Sequence, residues 1–163
     1  MSEMIKVGMA DLKTCVSPNS VITLGLGSCV GIAIRDPLTK IGGLAHIMLP
    51  DSKAMMNGCQ NIAKFADTGI EELVRQMEKP GASRFRMVAK IAGGATMFAF
   101  EGNSSAVGQV GNRNVEASKA KLKELKIPIL AQDTGANYGR TVIFYPETGE
   151  YHIRAVGKSE SII

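Results

Sequence analysis

The sequence predicts an α+β fold in which mixed or antiparallel sheets carry helices on their outer face. Two observations predict this class. Short aliphatic segments joined by hairpin-type turns outnumber the helices, and two other segments repeat apolar residues with a helical period of about 3.6 residues. The chain has 163 residues, of which 45% are hydrophobic, and this suits one compact domain over residues 1–163.

The predicted strands fall into two groups along the chain. In the first third, residues 20–26, 29–35 and 41–49 are rich in aliphatic and small side chains. A turn at Asp36-Pro37-Leu38-Thr39 joins the last two, because Asp favours the first position of a turn and Pro the second. Later strands are predicted at 84–91, 129–132, 141–145 and 151–156, and a hairpin turn at 146–149 joins the last pair.

Two helices are predicted from apolar periodicity. The first begins near Ile62 and ends at Lys79-Pro80-Gly81. Its apolar face consists of Ile62, Phe65, Ala66, Ile70, Leu73, Val74 and Met77. The second begins near Asn112 or Asn114, either of which is a favoured N-cap residue, and ends before Pro128. It buries Val115, Leu122 and Leu125 and exposes the lysines at 119, 121, 123 and 126, a pattern typical of a solvated helix face.

Composition disfavours several classes of protein. The three cysteines, Cys15, Cys29 and Cys59, have no repeated spacing, so a disulfide framework is not expected and the reducing cytoplasm is favoured. The sequence shows no secretory signal and no apolar run of about 20 residues, so membrane insertion is not expected. A net charge of +4 with 5% aromatic residues and no tryptophan disfavours nucleic-acid binding by stacking and fits an acidic protein partner.

A thiol and an imidazole are predicted to meet in the first hairpin. A cysteine nucleophile needs a base within hydrogen-bond reach, and His46 is one of two histidines in the sequence. If Pro37-Leu38 forms the centre of the turn, Cys29 lies opposite His46 on the same face, with Cβ atoms about 4.5–5.5 Å apart. A one-residue shift, or a bulge at Gly42-Gly43, would separate the two side chains.

The residues before Cys29 favour an oxyanion site. Glycines within Gly25-Leu26-Gly27 permit a sharp turn, and backbone N–H groups near Gly27, Ser28 and Cys29 are placed to stabilise an oxyanion. The plain alternatives stay open, namely a small buried cysteine at position 29 and a satisfied core histidine at position 46.

The remaining cysteines and histidine are expected to be inert. Burial as small hydrophobic residues is favoured for Cys15 and Cys59, and His152 is expected on the surface of a late strand. A metal site is not expected, because the cysteines and histidines show no paired ligand spacing.

Six short motifs resemble the CheD family of chemoreceptor glutamine deamidases. TLGLGSC at 23–29 and HIMLP at 46–50 flank the predicted site. KFADT at 64–68, KIAGGA at 90–95, GNRN at 111–114 and DTG at 133–135 with GR at 139–140 follow in family order. The resemblance covers nearly the whole chain. One departure is visible, because Ala136 follows Gly135 where the family pattern has a second glycine.

The resemblance implies a Cys–His–Thr triad, which here is Cys29, His46 and Thr23, with Thr23 acting through either its hydroxyl or its carbonyl. It implies deamidation of glutamines in the cytoplasmic helices of methyl-accepting chemotaxis receptors, through a cysteine thioester and without a cofactor. The same thioester route would hydrolyse receptor glutamyl methyl esters. The family also implies binding to the phosphatase CheC and a layered α/β/β fold similar to the catalytic domain of cytotoxic necrotizing factor toxins.

Two other functions fit the same residues. A non-catalytic adaptor that binds CheC and receptors would not need the Cys29 thiol. A cysteine protease would use the same thiol–imidazole pair but would cleave the substrate backbone, whereas deamidation leaves the substrate chain intact.

Overall fold

The computed structural model describes residues 2–54, 61–96 and 109–163. Within these residues the chain forms ten strands and two α-helices. The strands are β1 Met4–Val7, β2 Asp11–Val16, β3 Ser20–Leu26, β4 Val30–Asp36, β5 Ile41–Ile47, β6 Val88–Gly93, β7 Ile129–Thr134, β8 Arg140–Tyr145, β9 Glu150–Arg154 and β10 Ser161–Ile162. The helices are α1 Ala66–Glu78 and α2 Val110–Glu124.

The strands form two mixed sheets of five strands each. The inner sheet has the order β2-β5-β4-β6-β7, and the outer sheet has the order β1-β3-β8-β9-β10. Strands β6 and β7 pair in parallel, as do β1 and β3, whereas the other pairs of named strands are antiparallel. The α+β class and the mixed sheets expected from the sequence are therefore confirmed.

Helices and sheets stack in three layers. Both helices pack on one face of the inner sheet, where Leu73 and Leu122 share a core with Ile32 and other residues of β4 and β5. The opposite face of the inner sheet packs on the outer sheet, with Ala33 among the side chains of that second core. Because side chains alternate along a strand, odd-numbered residues of β4 face the outer sheet.

Helix α1 begins four residues later than expected. Residues Ile62–Lys64 form a 3₁₀ turn, and Ile62 is exposed rather than part of the apolar face. The rest of the predicted face, from Phe65 to Met77, is buried, and the predicted stop at 79–81 agrees with the end of α1 at Glu78.

Helix α2 is not capped by either predicted residue. It begins at Val110, so Asn112 and Asn114 both lie inside it. Asn112 is exposed, whereas Asn114 is completely buried. Among the described residues, no helix is long and apolar enough to cross a membrane.

Several strand predictions need correction. Residues Arg84–Arg86 form a 3₁₀ turn, and the strand expected from residue 84 begins at Val88 instead. Strands β1, β2 and β10 were not expected. Each is short or polar at alternate positions and lacks a continuous aliphatic run, so its pairing depends on partners distant in sequence.

The first hairpin has a longer turn than expected. Residues 37–40 connect β4 to β5, and the Lys40 N–H donates to the Asp36 carbonyl at 2.8 Å. Gly31 therefore lies opposite His46, and the predicted opposition of Cys29 to His46 is wrong by two residues. A two-residue shift preserves the face, because side chains alternate with a period of two.

Candidate active site

His46 is held by a hydrogen bond that crosses between the two sheets. The Nδ1 atom of this buried residue is 2.7 Å from Thr23 Oγ1 in β3. The same Thr23 oxygen is 2.7 Å from the Val7 carbonyl oxygen in β1, to which it donates. A carbonyl only accepts, so the single hydroxyl hydrogen of Thr23 goes to Val7. Thr23 must then accept from Nδ1–H, which leaves Nε2 of neutral His46 without a proton.

The unprotonated nitrogen of His46 has no partner in the described part of the chain. Nε2 is buried and makes no hydrogen bond there. Burial lowers the pKa of His46 to about 4, so the neutral form prevails at physiological pH. The structure therefore presents a basic nitrogen of defined tautomer in the layer between the sheets.

Cys29 shares that layer with His46. It lies one residue before β4 and is 8% exposed, in the core formed by the two sheets. In the β4–β5 register it is displaced by two residues from the position opposite His46. Such diagonal neighbours have Cα atoms about 7–8 Å apart, with Cβ atoms somewhat closer. The structure thus brings Cys29, His46 and Thr23 into one neighbourhood, although the thiol makes no hydrogen bond to the imidazole.

Burial also determines the resting state of the thiol. It raises the pKa of Cys29, and a hydrogen bond from the backbone amide of the same residue partly opposes the rise. The thiol is therefore protonated at rest. Proton transfer to a base is consequently needed before this sulfur can attack.

The turn that carries Cys29 is anchored at three consecutive carbonyls. The Gly27 carbonyl accepts from the Ala95 amide at 2.9 Å, and the Cys29 carbonyl accepts from the Gly94 amide at 2.8 Å. Between them, the Ser28 carbonyl accepts from Nδ2 of Asn114 at 2.9 Å. Anchored carbonyls fix the direction of the amides, because C=O and N–H point in opposite directions across a trans peptide.

The amides of the turn differ in their availability. The Gly27 amide donates to the Gly25 carbonyl at 3.1 Å. In the part of the chain that the structure describes, no backbone carbonyl accepts from the amide of Ser28 or Cys29. Of the three amides expected to serve an oxyanion, those of Ser28 and Cys29 therefore lack a carbonyl partner among the described residues, whereas Gly27 has already used its own.

Close packing around the turn explains the glycines of two family motifs. A Cβ atom on Gly93 would lie 2.3 Å from the Cys29 carbonyl oxygen. A Cβ atom on Gly111 would lie 2.3 Å from the Ala95 carbonyl oxygen. Only glycine fits at these positions without displacing backbone. Motifs distant in sequence thus meet at the nucleophile turn.

The departure at Ala136 lies in a loop next to this cluster. Ala136 has a φ of 61°, in the left-handed region that favours glycine. Its carbonyl nevertheless accepts from the Thr96 amide at 2.9 Å. The alanine is accommodated with local strain, and the hydrogen bond that ties this loop to residue 96 is kept.

Neither Cys15 nor His152 contributes to this cluster. Cys15 is buried in β2, and burial raises its pKa to about 11, as expected of an inert thiol. His152 lies in β9 between Glu150 and Glu160. Cys59 lies outside the described residues.

Asn114 and Val7 were missed by the sequence reasoning. Val7 acts through a backbone carbonyl, which leaves no mark on the sequence. Asn114 stands within the GNRN motif and was interpreted as a cap, but its side chain reaches Ser28 and Met48. The signal that distinguishes it is its spacing of one turn from Ser118 on the buried helix face.

Comparisons with known proteins identify the family. The family model described as CheD chemotactic sensory transduction matches residues 48–155. The probable chemoreceptor glutamine deamidase CheD of Lachnoclostridium phytofermentans is 60% identical over 163 residues, which is 100% of both chains. Proteins from Syntrophomonas wolfei, with the same description, and from Halalkalibacterium halodurans, described as chemoreceptor glutamine deamidase CheD, are 51% and 48% identical, also over 100% of both chains. The chain belongs to the CheD family.

The two kinds of comparison cover different parts of the site. The family model begins at residue 48 and so excludes Cys29, His46 and Thr23. The full-length relatives, however, span those positions. The family assignment therefore does not depend on the proposed triad.

Proposed function

We propose that this chain is a protein-glutamine deamidase that converts glutamine side chains of methyl-accepting chemotaxis receptors to glutamate. The observation that supports it best is the tautomer of His46. Thr23 accepts from Nδ1–H, so the lone pair of Nε2 has no partner among the described residues in the layer that holds Cys29. A cysteine beside an unprotonated, oriented imidazole is the arrangement that acyl transfer requires. The names of the relatives supply the substrate class.

The first half of the reaction acylates the enzyme. Nε2 of His46 takes the proton of the Cys29 thiol while the sulfur attacks the carboxamide carbon of the substrate. The backbone amides of Cys29 and Ser28 donate to the tetrahedral oxyanion. The C–N bond then breaks, and the proton held by His46 leaves with the nitrogen as ammonia. A glutamyl thioester on Cys29 remains.

The second half restores the enzyme. His46 takes a proton from a water molecule, whose oxygen attacks the thioester carbon. The C–S bond breaks, the Cys29 sulfur recovers its proton and the substrate leaves as glutamate. One carboxamide and one water thus give one carboxylate and one ammonium ion, with no oxidant, reductant or cofactor. A glutamyl methyl ester would follow the same route and release methanol.

The family resemblance extends the proposal to partners and location. We propose that the substrate glutamines lie in the cytoplasmic helices of the receptors. We also propose that the chain binds CheC and works in the cytoplasm. We also assign the three-layer fold to the type found in the catalytic domain of cytotoxic necrotizing factor toxins. If CheC and receptors share one face of the enzyme, excess CheC will slow deamidation.

Mass spectrometry of a receptor cytoplasmic fragment tests the proposed reaction. Incubation with the enzyme is expected to add about one dalton per modified glutamine and to leave the fragment uncleaved. Cys29→Ala and His46→Ala should each abolish ammonia release. The double variant should be about as inactive as either single variant, because members of a catalytic unit act together. Cys15→Ala and His152→Gln are matched controls outside the cluster and should retain activity.

The same experiment separates the alternatives. Undiminished deamidation by Cys29→Ala would reject the cysteine mechanism. Receptor binding without any mass change would favour a non-catalytic adaptor, and shortened fragments would favour a protease.

A further inference from the structure

Asn114 joins the two segments that carry the thiol and the imidazole. Its Nδ2 donates to the Ser28 carbonyl at 2.9 Å and to the Met48 carbonyl at 3.0 Å. Ser28 directly precedes Cys29, and Met48 lies two residues after His46. One buried carboxamide thus holds the nucleophile turn against the end of β5.

The orientation of this carboxamide is fixed by its surroundings. Both partners of Nδ2 are carbonyl oxygens, which only accept, so the nitrogen rather than Oδ1 must face them. Asn114 is completely buried, and Oδ1 has no hydrogen-bond partner among the described residues. A buried polar atom without a partner costs about 1–3 kcal/mol. A leucine would avoid that cost, so packing alone does not account for asparagine here.

We infer that Asn114 is a positioning residue that aims the Cys29 amide at the developing oxyanion. Its hydrogen bond draws the Ser28 carbonyl toward α2, so the N–H on the far side of that peptide points away from α2. That N–H belongs to Cys29 and contacts the thiol of the same residue. An amide beside the attacking sulfur is where an oxyanion donor must lie.

Among the three anchored carbonyls of the turn, only that of Ser28 accepts from a described side chain, that of Asn114. Gly94 and Ala95 anchor the carbonyls on either side, at Cys29 and Gly27, through backbone amides. The Ser28–Cys29 peptide is held by a side chain instead, so a substitution at position 114 can release that one peptide. The inference rests on the proposed function, because an oxyanion arises only if Cys29 attacks a carbonyl.

Two reactions of the same thiol separate oxyanion positioning from a general structural role. Deamidation passes through a tetrahedral oxyanion, whereas alkylation by iodoacetamide displaces iodide at a saturated carbon and forms none. In Asn114→Asp, a carboxylate of the same shape replaces the carboxamide and cannot donate to the two carbonyls. The kcat for deamidation should fall roughly 10²-fold, near the lower end of the about 10²–10³ cost of losing one oxyanion donor. KM should stay close to that of the unsubstituted enzyme. Alkylation of Cys29 should slow far less than kcat, because the Cys29 amide affects alkylation only through the pKa of the thiol.

Controls make each outcome decisive. Asn112→Asp is the same change at an exposed position two residues away on α2, and it should leave both reactions unchanged. If Asn114→Asp does not fold, Asn114→Ser removes the carboxamide without burying a charge and carries the same expectation. Undiminished kcat in either folded variant, or an equal loss of alkylation and deamidation, would overturn the inference. Deamidation by Cys29→Ala would overturn the cysteine mechanism on which the inference rests. A receptor fragment left unmodified by the unsubstituted enzyme would overturn the proposed function, so these failures are distinguishable from failure of the inference.

Discussion

A single hydroxyl hydrogen determines the tautomer of His46. Thr23 donates it to the Val7 carbonyl and therefore accepts from Nδ1–H. Without the Val7 contact, the hydroxyl would be free to donate to Nδ1 instead, and the proton would then sit on Nε2 and block the base. A strand-edge carbonyl in β1 thus sets the chemistry of a histidine in a different sheet.

The Thr23 hydroxyl is expected to matter for rate rather than for fold. Thr23→Val keeps the shape of the side chain but removes the acceptor for Nδ1–H, so both tautomers of His46 become accessible. The kcat for deamidation should fall by about 10–100-fold, less than the about 10²–10⁴-fold contributed by a general base itself. Thr23→Ser keeps the hydroxyl and should retain most of the rate. A fully active Thr23→Val enzyme would show that the tautomer is set in another way.

The pH profile should reflect the burial of His46. Its pKa lies near 4 in the folded chain against an ordinary 6.5, so the neutral base persists well below pH 6. In a plot of kcat/KM against pH, the fall at acid pH should accordingly lie near pH 4. Circular dichroism at each pH would show that the enzyme is still folded. Between pH 4 and 6.5, His46 binds more protons in the unfolded chain than in the folded chain. Neutral His46 therefore contributes fully to the free energy of unfolding above pH 6.5, and this contribution declines as the pH falls toward 4. An acid limb near 6.5 would mean that the imidazole is solvated in the working enzyme.

The end of β6 approaches the nucleophile turn closely. Gly93 has a φ of 107°, and an added Cβ would meet the Cys29 carbonyl oxygen at 2.3 Å. Gly93→Ala should therefore destabilise the chain by about 1–3 kcal/mol, seen as a lower Tm. It should also reduce deamidation well below that Tm, because the displaced atom belongs to Cys29.

A second glycine provides the control for that experiment. An added Cβ at Gly8 would meet nothing within 4 Å, so Gly8→Ala should change neither Tm nor rate appreciably. Equal effects of the two substitutions would show that the close approach at Gly93 has no special role.

The elements also show how far the sequence predicts the site. The hairpin was expected because Asp36-Pro37 marks a turn, and its face was right. The register was wrong because Lys40 adopts a φ of 58° and closes a longer loop. A positive φ is uncommon for lysine and carries no local signal. The predicted register differs from the observed one by two residues, and Cys29 still lies on the same face as His46 because side chains alternate with a period of two.

Contacts between distant segments were beyond local reasoning. The resemblance implies a role for Thr23, and the two hydroxyl contacts of Thr23 depend on β1, β3 and β5 lying together. Asn114 was interpreted as a cap because asparagine favours caps, yet its partners lie 86 and 66 residues away. Tertiary hydrogen bonds outweighed a local preference.

The whole molecule combines a buried site with a positive net charge. The inner sheet separates the helices from the inter-sheet layer in which Cys29 and His46 lie. In the proposed reaction, Cys29, His46 and Thr23 would interact mainly with the single glutamine that reaches them. Recognition of a large receptor surface would then depend on the exterior of the chain, whose formal net charge is +4.

Salt should therefore slow the reaction on a receptor but not the chemistry itself. Complementary charge chiefly accelerates encounter, and the Debye length falls from about 10 Å at 0.1 M salt to about 3 Å at 1 M. With an acidic receptor fragment, kcat/KM for deamidation should decline over that range while kcat changes little. A short uncharged glutamine peptide is the matched substrate, and its kcat/KM should be nearly independent of salt. If the two substrates respond alike, salt acts on the enzyme and the surface charge does not steer the receptor. A receptor rate indifferent to salt would instead place recognition in apolar contacts around the site.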